Sequence, residues 1–213
     1  ENNMPPEDIE TRTADFLKEN EGLYNWITVT EPDGTSLRYE PGKEAVREQA
    51  EEAIQQGKNQ LPDQPSRIFG KAISGQTGWY ELYIRKEASS ENGICILTFA
   101  MNLETIYQKI IAPVKIGRDG YSSVKDQNMC IIMHHAKDQI GLEAFDDRMK
   151  KYPELDLTSM NAWIKKQAQD TSGTGVIDTY VWDDPGLSRV QRVVAFQSIY
   201  IQFDSHMIDQ ANL

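Results

Sequence analysis

Short apolar and polar stretches follow one another along this chain, and their spacing predicts a mixture of helices and strands. Residues 5–22 carry a thin apolar stripe at helical spacing, which predicts an N-terminal helix that ends at Gly22. Residues 24–39 alternate in polarity around a Pro-Asp-Gly turn, which predicts a hairpin. Residues 43–57 recur at helical spacing with a mostly alanine face, which predicts a second helix.

The remaining elements are predicted in the same way. The first half continues with strands over residues 67–74, 79–86 and 93–101 and a short helix over 103–111. The second half contains, in order, a hairpin over 119–141, helices over 142–152 and 156–169, and strands over 175–182, 189–201 and 206–208. The helix over 156–169 is predicted to carry one apolar face, with Leu157, Met160, Trp163 and Ile164.

The stretch 119–141, DGYSSVKDQNMCIIMHHAKDQIG, combines the clearest structural and chemical signals. Its first strand carries Tyr121, Ser123 and Lys125, and a polar turn leads into a second strand, 129–135, whose consecutive apolar residues predict cover on both faces. That strand ends in His134 and His135. Since adjacent strand residues point to opposite faces, we expect only one of the two histidines to face a given pocket.

The order of elements repeats within the chain. An aromatic strand, a polar turn, a second strand and a glycine occur over 26–42 and again over 121–141. The repeat predicts an α+β protein with two tandem units, each an antiparallel sheet flanked by helices. The predicted parts are an N-terminal helix over 1–22, a first module over 23–112 and a second over 113–213.

The composition of the chain argues against some classes of binding partner and identifies none. The 213 residues are 39% hydrophobic and carry a net charge of -11, with an isoelectric point near 4.8. This acidic balance argues against a nucleic-acid partner and against adsorption to an anionic membrane. No apolar run is long enough to span a bilayer.

Motifs for catalysis, metal binding and redox chemistry do not occur. The sequence contains no GxSxG, P-loop, HExxH or CxxC pattern, so we expect neither an enzyme nor a cofactor or metal site. Cys95 and Cys130 each lie among apolar strand residues, which favours buried free thiols. A disulfide would require neighbouring strands. A hydrolase of unrecognised spacing is the weakest alternative.

The run GYSSVKDQNMCIIMHHAKDQIG resembles the pattern of Cache domains, the PAS-like extracytoplasmic sensor modules of bacterial receptors. The later segments YPELDLTSMNAWIKKQ, TGVIDTYVW and RVQRVVAFQSIYI resemble a membrane-proximal Cache module, and GICILTFAMNLETIYQKI resembles the end of a membrane-distal one. Two positions depart from the pattern: Asn128 replaces the usual turn glycine, a swap that Asn tolerates because it visits left-handed conformations, and His135 replaces the usual proline.

The resemblance implies a double Cache ectodomain of a sensor histidine kinase, diguanylate cyclase or chemoreceptor. Such a domain lies outside the cytoplasm between flanking transmembrane helices, binds a small molecule and passes a conformational shift across the membrane. The amino-acid-recognition pattern of some Cache domains is not visible here, so an amino acid and a carboxylate both remain candidate ligands, and homodimer formation is open. The alternative is a secreted protein-interaction module without a small-molecule pocket.

Eight residues are candidates for ligand binding, and each has a structural alternative. His134 matches the family histidine, but a hydrogen-bonded histidine at a strand end would look the same. Arg148 could hold a carboxylate, or form a surface ion pair with its acidic neighbours. The other candidates could wall or line a pocket, or could serve only as core or solvated strand positions: Trp163, Asp178, Tyr180 and Trp182 in the second module, Trp79 and Tyr83 in the first.

Overall fold

The computed structural model describes residues 6–48, 70–74, 78–90, 93–115, 117 and 119–199. Within this part the chain divides into two compact units. Unit 1 contains the residues up to Ile73 together with Glu81–Thr105, and unit 2 contains Ser74–Tyr80 and the residues from Ile106 onward.

Unit 1 is built on a six-stranded sheet. Its elements are, in chain order, α1 (Pro6–Glu19), β1 (Tyr24–Thr30), β2 (Ser36–Tyr39), β3 (Val46–Glu48), β4 (Gly70–Ser74), β5 (Tyr80–Ser90), β6 (Gly93–Asn102) and α2 (Leu103–Ile106). The strands lie in the order β3-β2-β1-β6-β5-β4, and β1 pairs antiparallel with both β2 and β6. The α+β class predicted from the sequence is confirmed.

Strand β1 occupies the middle of this sheet and is buried on both faces. Ile27 and Val29 pack into a core cluster with Leu17 of α1, whose side chain is 2% exposed. Burying a leucine of this kind stabilises the fold by about 1.5–3 kcal/mol. The predicted turn follows: Gly34 has φ +87°, and Asp33 Oδ1 accepts the Thr35 N–H at 2.7 Å. The predicted first hairpin is therefore confirmed.

The helix predicted over 43–57 is wrong at its beginning. Residues Val46–Glu48 form strand β3, which pairs antiparallel with β2 so that Arg47 lies opposite Leu37. Without β3, strand β2 would be an edge strand with unpaired backbone N–H and C=O groups. Pairing with β3 satisfies those groups, and this gain outweighs the weak local preference of Val46–Glu48 for helix. Residues 49–57 and the loop predicted over 58–65 lie outside the described residues.

Unit 2 combines two short helices with two separate strand pairs. Its elements are, in chain order, a π-helical turn (Tyr107–Ile111), β7 (Val124–Lys125), β8 (Ile131–Met133), a short 3-10 helix (Lys137–Gln139), α3 (Asp146–Lys151), α4 (Thr158–Gln169), β9 (Ser172–Tyr180) and β10 (Arg189–Gln197). Among the described residues, β7 pairs with β8 and β9 with β10, both antiparallel. The strand predicted over 206–208 lies outside them.

Helix α4 forms the core of unit 2 against β9. Met160 and Ile164 of α4 are 4% and 1% exposed and belong to one cluster with Ile131 of β8 and Ile177 of β9. The apolar face that the sequence predicts for this helix is therefore the face that packs on the strand, as expected for an amphipathic helix.

The hairpin of the stretch 119–141 is shorter than predicted. Met129 and Cys130 do not extend β8, because Cys130 bridges to Glu143 and Ala144 donates its N–H to the Met129 carbonyl at 3.1 Å. The left-handed residue of the turn is Met129, with φ +61°, and not Asn128. Asp126 Oδ1 accepts the N–H groups of Asn128 and Cys130, both at 2.9 Å, which holds this conformation.

Cys95 and Cys130 are both free thiols; Cys95 is buried and Cys130 only partly so. Among the described residues, no helix combines the length and the apolarity needed to cross a bilayer.

Candidate functional site

His134 lies just beyond β8 in the interior of unit 2, where its side chain is 2% exposed. The Ala136 N–H donates to His134 Nδ1 at 3.0 Å. The Ala136 carbonyl oxygen lies farther from the same nitrogen, at 3.3 Å; the shorter contact, in which Nδ1 accepts, favours the tautomer with the proton on Nε2. Burial, with further contributions from the charges of His135 and Arg148, lowers the pKa of His134 to about 2, so the ring is neutral at physiological pH. His134 thus offers a hydrogen-bond donor and no charge.

The side chains of His134 and His135 do not point to opposite faces, contrary to the sequence prediction. Their ring centroids are 4.4 Å apart in a stacked arrangement, and Tyr121 contacts both rings. The alternation rule fails because β8 ends at Met133, so the two histidines lie in a bend rather than in a strand. His135 Nε2 lies 3.6 Å from the carboxylate of Asp183.

Arg148 of α3 is buried, with 4% of its surface exposed, and the surface ion pair considered from the sequence is excluded. Its Nε donates to Gln139 Oε1 at 2.9 Å, and its Nη1 lies 3.5 Å from Met160 Sδ. The guanidinium carbon lies 4.5 Å from the centroid of the Trp182 ring, a cation–π contact. Within the part of the chain that the structure describes, neither Nη2 nor any other atom of this guanidinium contacts a carboxylate.

The carboxylate of Asp138, whose charge acts on Arg148, is held by other partners. Asp138 Oδ2 lies 3.1 Å from Lys151 Nζ and accepts the Tyr152 hydroxyl at 2.6 Å. Tyr152 in turn accepts Gln139 Nε2 at 2.8 Å. These hydrogen bonds orient Gln139 so that its Oε1 accepts from Arg148, while Asp138 forms its ion pair with Lys151.

Lys125 of β7 is a component that the sequence analysis did not select. It is partly buried, and among the described residues it makes no hydrogen bond or ion pair. Burial, together with the positive charge of Arg148, lowers the pKa of Lys125 to about 8. The charge of Lys125 also acts on His134. The sequence signal that could have identified Lys125 was its spacing, because Tyr121, Ser123 and Lys125 alternate along the predicted first strand of the hairpin.

The remaining predicted residues of unit 2 divide into two groups. Trp182 and Tyr180 are buried with ring centroids 5.9 Å apart, and the Tyr180 hydroxyl accepts the Asp156 N–H at 3.0 Å. Trp163 packs instead against Phe196 at 5.3 Å. Asp178 forms a partly exposed ion pair with Arg189 at 3.1 Å. Trp182 therefore contacts Arg148 and Tyr180 packs beside Trp182, whereas Trp163 and Asp178 have other contacts.

The two residues predicted for the first module lie in different units. Trp79 belongs to unit 2, where it is 3% exposed and packs on Tyr107. Tyr83 belongs to unit 1, where its ring meets Trp26 edge-to-face at 5.2 Å and its hydroxyl donates to Glu81 at 2.9 Å. Tyr83 thus contributes to a polar and aromatic face of the unit 1 sheet.

Solved structures share this fold. The extracellular domain of vpHK1S-Z8, a protein assigned as a histidine kinase, aligns with a TM-score of 0.57 at 12% identity, over 90% of this chain and 75% of that one. The corresponding domain of mmHK1S-Z2 gives 0.54 at 13% identity, over 88% and 75%. The sensory domain of the Campylobacter jejuni chemoreceptor Tlp3 with isoleucine bound gives 0.51 at 12%, over 92% and 76%.

This chain has the fold of extracellular sensor domains. The resemblance to Cache domains found in the sequence is confirmed at the level of the fold. No protein-family model and no curated protein sequence matches the chain significantly. The sensor-domain fold therefore gives the architecture, and the side chains around Arg148 must supply any argument about ligands.

Proposed function

We propose that this chain is the extracytoplasmic ligand-sensing domain of a bacterial membrane receptor, such as a histidine kinase, a diguanylate cyclase or a chemoreceptor. In this proposal the chain comprises two tandem PAS-like modules, over 23–112 and 113–213, with transmembrane helices on either side in the full-length protein and with homodimer formation as an option. The fold shared with extracellular sensor domains supports the proposal.

One observation carries the ligand-binding part: Arg148 is buried, and its guanidinium has no carboxylate partner among the described residues. A buried charge without a partner is costly, and such groups concentrate at functional sites. We infer that a bound small molecule supplies the missing contact. Trp182 lies against Arg148, with Tyr180 next to the Trp182 ring, and the charge of Arg148 acts on His134, so these residues are the proposed site.

Signal transmission would follow from binding itself. A ligand that bridges the β7–β8 hairpin and α3 binds one arrangement of these elements better than another. It therefore shifts the population toward that arrangement, by no more than its difference in affinity for the two. This mechanism requires no catalysis by the chain.

A thermal-shift screen of the chain against small metabolites of all charge classes tests the proposal. A ligand at about one hundred times its dissociation constant stabilises the fold by about 2.7 kcal/mol, which raises the melting temperature by several degrees. We expect His134→Gln to lose the shift, whereas Asp178→Asn, whose side chain is engaged with Arg189, should keep it. A library without any stabilising compound would contradict the proposal and favour the protein-interaction module.

A further inference from the structure

We propose that His135 makes unit 2 sensitive to acid: its neutral ring stays in a cluster with His134 and Tyr121, and its protonated ring leaves that cluster. The proton is then a second input to this chain, and the inference does not depend on a ligand at Arg148. The rings of the cluster are in close contact, since the His135 ring centroid lies 3.9 Å from that of Tyr121 and 4.4 Å from that of His134.

His135 is the member of this cluster that can take up a proton in mild acid. Its side chain is 23% exposed, and its Nε2 lies 3.6 Å from the Asp183 carboxylate, which is 63% exposed. His134 is 2% exposed, and burial lowers its pKa to about 2, so its ring stays neutral. Tyr121 also stays neutral, because burial raises the pKa of its hydroxyl above the ordinary value. A change of charge between about pH 8 and about pH 5 therefore falls on His135.

The stacked arrangement suits the neutral form of His135 better than the protonated form. The Nδ1 atom of His135 is buried and has no hydrogen-bond partner among the described residues. Both nitrogens of a protonated imidazole carry a proton, so protonation would leave a buried N–H group without an acceptor. The contact of Nε2 with Asp183, at 3.6 Å, is longer than a hydrogen bond and does not offset this cost.

The charges around His135 act in both directions, and burial decides the outcome. Asp183 favours the protonated ring, whereas Arg192 of β10 and Lys115 oppose it. The guanidinium carbon of Arg192 lies 5.2 Å from the centroid of the Tyr121 ring. Burial is the largest effect and lowers the pKa of His135 below its ordinary value. Because the pKa in the stacked arrangement is the lower one, this arrangement loses stability as the pH falls below the ordinary value for histidine.

Release of the His135 ring would weaken the contact between two parts of unit 2. Tyr121 precedes β7 and His135 follows β8, whereas Asp183 follows β9. The cluster therefore connects the 119–141 hairpin with the segment that joins β9 to β10. Acid would shift the population toward the arrangement in which this connection is broken, by no more than the difference in pKa between the two arrangements allows.

Nuclear magnetic resonance on the intact chain, with labelled histidine and tyrosine rings, follows this contact from about pH 8 to about pH 5. We expect His135 to titrate with a midpoint below the ordinary histidine value and to lose its nuclear Overhauser contacts with Tyr121 as it takes up the proton. The contacts between Tyr121 and His134, whose ring centroids lie 5.1 Å apart, should remain. The inference is overturned if His135 does not titrate in this range, if its midpoint is at or above the ordinary value, or if the protonated ring keeps its contacts with Tyr121.

Two substitutions should move the midpoint of His135 in opposite directions. Asp183→Asn removes an attraction for the protonated ring and should lower the midpoint, and Arg192→Gln removes a repulsion and should raise it. Each shift should be about 0.2–0.7 pH units, the size expected for partly exposed charges. Lys150→Gln, which replaces an exposed lysine beside Asp147, should leave the midpoint unchanged. Because Asp183 is exposed, its variant decides the matter even if circular dichroism shows Arg192→Gln to be unfolded; an unchanged or raised midpoint in Asp183→Asn contradicts the inference.

Discussion

Replacing Arg148 with methionine separates the cost of its charge from the value of its packing. Burial lowers the pKa of Arg148 from its ordinary value to about 10. The folded pKa of this base is lower than the unfolded one, so the cost of burying the charge applies in full below about pH 10 and is relieved only as the pH rises above it. A lowering of this size corresponds to about 3 kcal/mol of destabilisation, which Arg148→Met removes at neutral pH.

The same substitution has two unfavourable effects. Gln139 Oε1 belongs to a side chain that is 0% exposed, and losing its donor costs about 1–3 kcal/mol. Losing the cation–π contact with Trp182 costs about 1–2 kcal/mol more, part of which the methionine thioether recovers against the ring. Gains and losses nearly cancel, so we expect Arg148→Met to change the free energy of unfolding by about 2 kcal/mol or less.

Urea denaturation at neutral pH measures this change, with Ile164→Ala as the reference. Ile164 is 1% exposed in the same core, and its truncation should cost about 2–5 kcal/mol. Arg148→Met should be clearly less destabilised than that reference, and a compound that stabilises the chain in the thermal-shift screen should act on the wild type only. If Arg148→Met loses as much stability as Ile164→Ala, the buried guanidinium is a structural element, and the argument that its charge awaits a ligand is wrong.

Three other outcomes test separate parts of the structure. The folded pKa of Lys125, about 8, lies below its ordinary 10.5, so only the unfolded chain binds this proton in between, and stability should rise with pH in that window. The urea midpoint should therefore increase less between about pH 7.5 and about pH 9.5 in Lys125→Met than in Lys150→Met. Equal increases in the two variants would contradict the burial of Lys125. Long-range ¹⁵N spectra should show His134 as the neutral Nε2–H tautomer throughout the range in which a free histidine titrates, and a pKa near the ordinary value would show a ring open to water. Gly175→Ala places a methyl group 2.8 Å from an indole ring and should cost about 1–3 kcal/mol, whereas Gly186→Ala, with its nearest atom at 3.6 Å, should change little in the same denaturation assay; equal effects would refute the close packing.

Local patterns predicted most elements of the fold correctly. The alternation around the Pro-Asp-Gly turn predicted the β1–β2 hairpin, and the spacing of Met160 and Ile164 predicted the buried face of α4. These signals lie within a few residues of one another, so the sequence itself carries them. The segment at Val46–Glu48 was predicted wrongly because its helical spacing is local, whereas its pairing partner β2 offers backbone hydrogen bonds that no local pattern reveals.

Some features of the candidate site were likewise predictable from the sequence, and others depended on the tertiary structure. The sequence by itself determined that a histidine pair follows the apolar run of the 119–141 hairpin, and it indicated His134, Arg148 and Trp182 as candidates. Only the tertiary structure decided that Arg148, set among charged neighbours in DDRMKK, is buried beneath a ring that lies 34 positions later in the chain (182 − 148). It also decided that His134 and His135 stack and that Lys125 lacks a partner among the described residues. The physical reason is that periodicity depends on neighbouring residues, whereas the burial of a charge depends on what distant segments place around it.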